Sequence, residues 1–167
     1  MISKQPPRAA LFAVQLVALS LASSPPAQAQ PADFAGRWVI AKAAMAPWAD
    51  GVVVGGPEEE KRLLGKTVTL GPRAVTAPQP VGCKPPVYTV RDDPPDMLFE
   101  GGLAEPDKAG KPRNAVALAR ALGMSTRTVR TLEIGCSEIS FHRFAPDTLV
   151  FGLDNRVYTL HRAAKGK

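Results

Sequence analysis

The sequence is poor in the side chains that carry most enzymatic chemistry. It holds two histidines, His142 and His161, and two cysteines, Cys83 and Cys136. No C-x-x-C occurs, and neither cysteine has a histidine within a few residues, so the usual zinc and redox spacings are missing. Lysine and arginine never form a run of five or more, which argues against a nucleic-acid surface. The acids Asp92, Asp93 and Asp96 crowd around Pro94-Pro95. They lack the alternating ligands and glycine turn of a calcium loop and read as a solvated turn. Neither a metal nor a cofactor is expected. Two isolated histidines also make a poor start for a nucleophile, base and orienting group held together.

What the sequence does have begins at its N-terminus. Lys4 and Arg8 precede an almost wholly apolar run from Ala9 to Ala22, and Ala27-Gln28-Ala29 follows the Pro25-Pro26 pair. These are the three parts of a secretory signal, with the mature chain starting at Gln30. The apolar run is short for a membrane span, and no second candidate follows it, so no span is expected after cleavage. Residues 30–167 then form one domain, periplasmic or secreted, large enough for a hydrophobic core. Loss of Lys4 and Arg8 lowers the 21 basic residues to 19 against 15 acids. In an exported chain, Cys83 and Cys136 are expected to pair as one disulfide closing a loop of about fifty residues, worth about 3–4 kcal/mol.

The pattern is mainly β. Strands are predicted at Gly36–Lys42, Lys66–Leu70, Arg73–Ala77, Val87–Arg91 and Met97–Glu100. Pro57–Leu64 reads as one or two helical turns with proline first and acids next. Gly101–Arg113 is polar and rich in Gly, Pro and Lys, and reads as a loop. One clear short helix is predicted over 114–122, capped by Asn114 and stopped by Gly123.

The last forty residues are the most informative. Thr128–Gly135, Glu138–Phe144, Thr148–Leu153 and Arg156–Arg162 read as four antiparallel strands joined by loops of two, three and two residues. This register sets Leu132 against Phe141, Ile134 against Ile139, Phe141 against Phe151, Ile139 against Leu153, Phe151 against Tyr158 and Leu149 against Leu160. All of these pairs are apolar and lie on one face, which a slip of one residue would destroy. Val129, Thr131, Glu133, His142, Val150, Thr159 and His161 take the outer face, where both histidines read as isolated surface residues. The whole is a small antiparallel up-and-down β-barrel or half-barrel of about eight strands.

Gly36-Arg37-Trp38 opens the first strand. This G-x-W start resembles that of lipocalin-like barrels, and the layout is similar to that of small exported bacterial metalloprotease inhibitors, which share a barrel and one disulfide. The resemblance implies a barrel whose floor is closed by Trp38. The helix precedes the last four strands here, whereas lipocalins place theirs after the barrel.

The register also brings Arg130 opposite Arg143, and Arg162 opposite Asp147, at one end of the apolar face. Opposed like charges on a sheet are unfavourable unless something offsets them. An anionic ligand would do so, because guanidinium forks match carboxylates and phosphates. Trp48, in the irregular stretch Ala43–Gly56, is either core or a contact for a ligand. The expected function is a non-enzymatic binding protein for a small or envelope-derived anionic ligand, with Arg130, Arg143, Arg162 and Trp48 in contact. The alternative is an inhibitor of a protease or cell-wall hydrolase, acting through a loop or its N-terminal lead-in. An apolar internal cavity of about 300 Å³ or more would favour the first, and a filled interior with an ordered protruding loop the second.

Overall fold

The structure, a computed structural model, describes residues 30–51 and 56–164. The expected signal at 1–29 lies outside the described residues. Among the described residues eight antiparallel strands form one sheet, curled into a half-barrel. They are β1 (Gly36–Met45), β2 (Thr67–Leu70), β3 (Val75–Thr76), β4 (Thr89–Asp93), β5 (Val129–Glu133), β6 (Ser140–Ala145), β7 (Thr148–Leu153) and β8 (Arg156–Arg162). Their order is β3-β2-β1-β8-β7-β6-β5-β4, so the first long strand lies beside the last.

Among the described residues three short helices accompany the sheet, where one clear helix and one or two helical turns over Pro57–Leu64 were expected. In α1 (Pro57–Leu63), Pro57 starts the first turn, acids follow it, and Lys61 pairs with Glu58 at 2.9 Å. In α2 (Ala115–Ala121), the Asn114 side chain accepts a hydrogen bond from the Ala117 amide at 3.0 Å, and Gly123 exits at φ +104°. The third is a kinked 3-10 helix over Pro95–Gly101. It replaces the strand predicted at Met97–Glu100. Pro94 and Pro95 interrupt any ladder, and Phe99 and Glu100 take left-handed backbone conformations, at φ 53° and 57°, that no strand allows.

The C-terminal meander has the expected register. Leu132 faces Phe141, Leu149 faces Leu160 and Phe151 faces Tyr158. Its last turn is Asp154-Asn155, with both residues at positive φ, the conformation that matches the twist of a two-residue hairpin. The β6–β7 connection differs from the expected three-residue loop. Ala145 pairs with Thr148, leaving Pro146-Asp147 as the turn and Phe144 as a bulge. Phe144 lies on the opposite face from Phe141, as the alternation of the strand requires.

Both faces of the sheet are covered. The inner face holds Phe34, Trp38, Ile40, Leu132, Phe141, Phe151, Tyr158 and Leu160, all fully buried. Phe151 stacks on Tyr158 at 5.0 Å and meets Phe141 edge-on at 5.7 Å. At the edge of the sheet, Cys83 bridges Val75 of β3, and its disulfide to Cys136 ties this loop to the β5–β6 hairpin with Cα atoms 5.7 Å apart.

The outer face of β5–β8 was expected to meet solvent. Instead it carries a second apolar cluster, in which Val129, Phe144, Val150 and Val157 pack against Ala46, Ala49, Leu98, Phe99, Leu103, Ala119 and Met124. The cover is supplied by the β1–α1 loop, the 3-10 helix and α2. His142 and Thr131, expected at the surface, lie buried beneath it, while His161 is exposed as expected. Asp93, expected in a solvated turn, ends β4 and is buried, with its carboxylate 3.3 Å from Arg91. Part of the predicted loop over 101–113 belongs to this layer. Gly102 and Leu103 are buried, and Asp107 accepts from the Ala109 and Lys111 amides at 2.9 Å each.

Candidate functional site

The predicted contact residues do not form one site. Arg130, Arg143 and Arg162 do converge at one rim of the inner face, as the register required. The space between them is taken by the chain's own lead-in. The Asp33 carboxylate lies 3.0 Å from Arg130 and 3.7 Å from Arg143. Arg162 donates to the carbonyls of Ala35 and Asp33 at 2.8 and 2.9 Å, and its guanidinium sits 4.1 Å over the Trp38 ring. Trp38 in turn donates to the Phe34 carbonyl at 2.9 Å. The offset to the like-charge pair is thus an internal acid. The sequence pointed to Asp147, which faces Arg162 through its backbone, and not to Asp33, whose position depends on Phe34 entering the core.

Trp48 sits on the opposite side of the sheet. It is half-buried and packs on Phe99 with ring centroids 5.0 Å apart, and Phe99 meets His142 edge-on at 4.6 Å. Gly152 of β7 lies under both outer rings. A Cβ there would come within 3.1 Å of Phe99 and 3.5 Å of Trp48, so the missing side chain gives the aromatics their seat. Arg113 fastens the loop that carries Trp48. It donates to the Pro47 carbonyl at 2.8 Å, pairs with Asp50 at 2.6 Å and donates to the Glu105 carbonyl at 2.9 Å.

Beside this aromatic stack opens a cleft of about 360 Å³, floored by the outer-facing residues of β6 and β7. Trp48 and Phe99 form one wall, and Ser140, His142 and Gly152 the floor. Glu100, Glu138 and Asp154 stand at its margin. His142 has both ring nitrogens engaged. Nε2 accepts from the Phe99 amide at 3.1 Å, which leaves Nδ1 as the donor to Thr131 Oγ1 at 3.0 Å. Burial pushes its pKa down to about 4, the Asp93 charge opposing this shift and Arg91 reinforcing it. The imidazole is therefore neutral near pH 7. At the turn end of the cleft, a hydrogen bond with Asp154 holds the Glu59 carboxyl above the usual carboxylate range, and partial burial and the Asp154 charge act in the same direction.

Neither Phe99 nor His142 was singled out in the sequence as a cleft residue. The one available signal was the apolar Met97-Leu98-Phe99 run immediately after two prolines. Among the described residues no group of three His, Cys, Asp or Glu is placed to hold a metal ion, and no helix is long and apolar enough to cross a membrane. No family model, curated protein or solved structure matches the chain.

Proposed function

We propose that this chain is a non-enzymatic binding protein of the periplasm or extracellular space that holds a small ligand in the outer-face cleft. The observation that carries this reading is the cleft itself, an open volume of 360 Å³ beside a fixed aromatic wall. That volume falls in the range of small-molecule sites. The inner face of the half-barrel offers less, because Phe34, Trp38, Phe141, Phe151 and Tyr158 fill it. The arginine rim is already served by Asp33. With both nitrogens of His142 committed to Phe99 and Thr131, the imidazole suits a wall and not a general base.

A screen of small-molecule fragments against the 15N-labelled protein tests the reading. Binding should shift the Trp48 indole and the Ser140 and Gly152 amides. Gly152→Val, which pushes a side chain into Phe99 and Trp48, should abolish those shifts. Shifts gathered instead around Phe151 and Tyr158, or around Arg130 and Arg143, would move the site and defeat the proposal.

The filled inner face also favours a second reading, inhibition of a protease or cell-wall hydrolase. Its instrument would be the exposed turn around Asp107–Lys111, closed by the Asp107 carboxylate and anchored through Arg113. The lead-in is a poor inhibitory arm, because Phe34 is buried and Asp33 is clamped. Shortening the turn over 106–111 should leave cleft binding intact and remove any inhibition.

A further inference from the structure

The lining of the cleft has a definite sign of charge. Glu100, Glu138 and Asp154 are all exposed at its margin, and among the described residues no lysine or arginine lines it. Among the described residues that line it, the one ionisable base is His142 in the floor, buried and hydrogen-bonded at both nitrogens. The arginines of the flanking segments are committed elsewhere, Arg113 to Asp50 and Arg156 to Glu60, each at 2.6 Å. This local excess of acid stands against a chain whose overall balance is basic. The opposite wall is aromatic, with Trp48 and Phe99 tilted against each other over Gly152. An aromatic face attracts a cation and offers an anion nothing comparable. Carboxylates at the margin add long-range attraction for the same sign of charge.

Resting on the proposed cleft function, we infer that its ligand is a small organic ammonium ion, its cationic head against Trp48 and Phe99 and its charge balanced by Glu100, Glu138 and Asp154. This reverses the sign of ligand charge expected from the three arginines, which lie on the other face of the sheet and already hold an acid.

Three probes of nearly equal shape separate charge from fit: choline, the neutral 3,3-dimethylbutan-1-ol and the anionic 3,3-dimethylbutanoate. Each is titrated into the 15N-labelled protein at fixed ionic strength. The Trp48 indole resonance reports the cleft, and that of Trp38, fully buried and bonded to Phe34, serves as internal control. Choline should move Trp48 and leave Trp38 still, binding about tenfold or more tightly than the alcohol, a difference of about 1.4 kcal/mol. The butanoate should not bind. Glu100→Gln/Glu138→Gln should weaken choline about tenfold and leave the alcohol unchanged, both substitutions being at exposed positions. Equal binding of choline and the alcohol would overturn the inference about charge and leave the cleft as the site. No movement of Trp48 with any probe at millimolar concentration would overturn both.

Discussion

On the inner face of the sheet, Leu132, Phe141, Phe151 and Tyr158 arrive from four consecutive strands and meet in register. On the outer face, Val129, Val150 and Val157 come from three of the same strands but meet partners from the β1–α1 loop, the 3-10 helix and α2, and His142 of the fourth meets Phe99. The inner core is made mainly by strand residues with a period of two, joined by Phe34 of the lead-in, Leu63 of α1 and Val81, and its large side chains are fully buried. The outer core joins a regular surface to irregular segments whose shape does not follow the pleat, and there the cleft remains. Stability and recognition are thus divided between two sides of the same strands. A binding site is better placed on the irregular side, because its walls can change without disturbing strand pairing.

The strongest way to break this comparison is to remove one ring from each face. Phe151→Ala should cost about 3–5 kcal/mol in urea unfolding, because the residue is fully buried between Phe141 and Tyr158. Phe99→Ala should cost less, about 2 kcal/mol, since the residue sits at the edge of its cluster beside the open cleft. It should nevertheless eliminate binding in the cleft, which Phe151→Ala should retain under conditions where that variant is folded. Equal costs for the two would show that the faces are not distinct in stability.

Acid should act on the outer face selectively. His142 has a pKa near 4 in the fold and about 6.5 in the unfolded chain, so the unfolded chain binds the proton more tightly. Its neutral state is fully compatible with folding above about pH 6.5. As pH falls from there towards 4, stability should decline by as much as about 3 kcal/mol from this residue. Asp93 and Arg91 are the charged groups that act on it. His142→Gln, which keeps an acceptor for the Phe99 amide, should flatten the difference in unfolding free energy between pH 6.5 and 4.5. An unchanged slope would place the acid sensitivity elsewhere.

The smallest effect belongs to the arginine rim. Asp33→Asn removes the carboxylate shared by Arg130 and Arg143, and because these groups are partly exposed the loss should be about 1 kcal/mol or less. The two arginines then lack their counter-charge. Sulfate at fixed ionic strength should raise the melting temperature of the variant more than that of the wild type. Equal shifts would mean that Asp33 is not what satisfies the pair.

These differences also explain what could be read in advance. The β5–β8 meander was legible because each strand alternates and each hairpin is short, so a slip of one residue would have turned Phe141 and Phe151 outward. The pairing of Cys83 with Cys136 needed only the count of cysteines and the reading of the N-terminus as an export signal. The burial of His142 was not legible, because the cover over it comes from residues 98–103 and from the loop before α1, far away in sequence. Phe99 was misassigned to a strand because an apolar triplet carries no periodicity that separates strand from turn. Asp33 was missed because a short polar lead-in shows no sign of entering a core until Phe34 is seen inside it.

The place of β1 beside β8 has a consequence in time. Arg162 reaches back across the sheet to the carbonyls of Asp33 and Ala35, and β1 finds its most extensive partner in β8. When the chain emerges from its N-terminus, the first of these strands appears while the last is more than a hundred residues behind it. Until then β1 has only β2 for company, Trp38 lacks the guanidinium over its ring, and the lead-in has no clamp. The fold is therefore completed only once β8 is present, and not along the way. Its slowest contacts join the two ends of the domain, as long-range strand pairing requires.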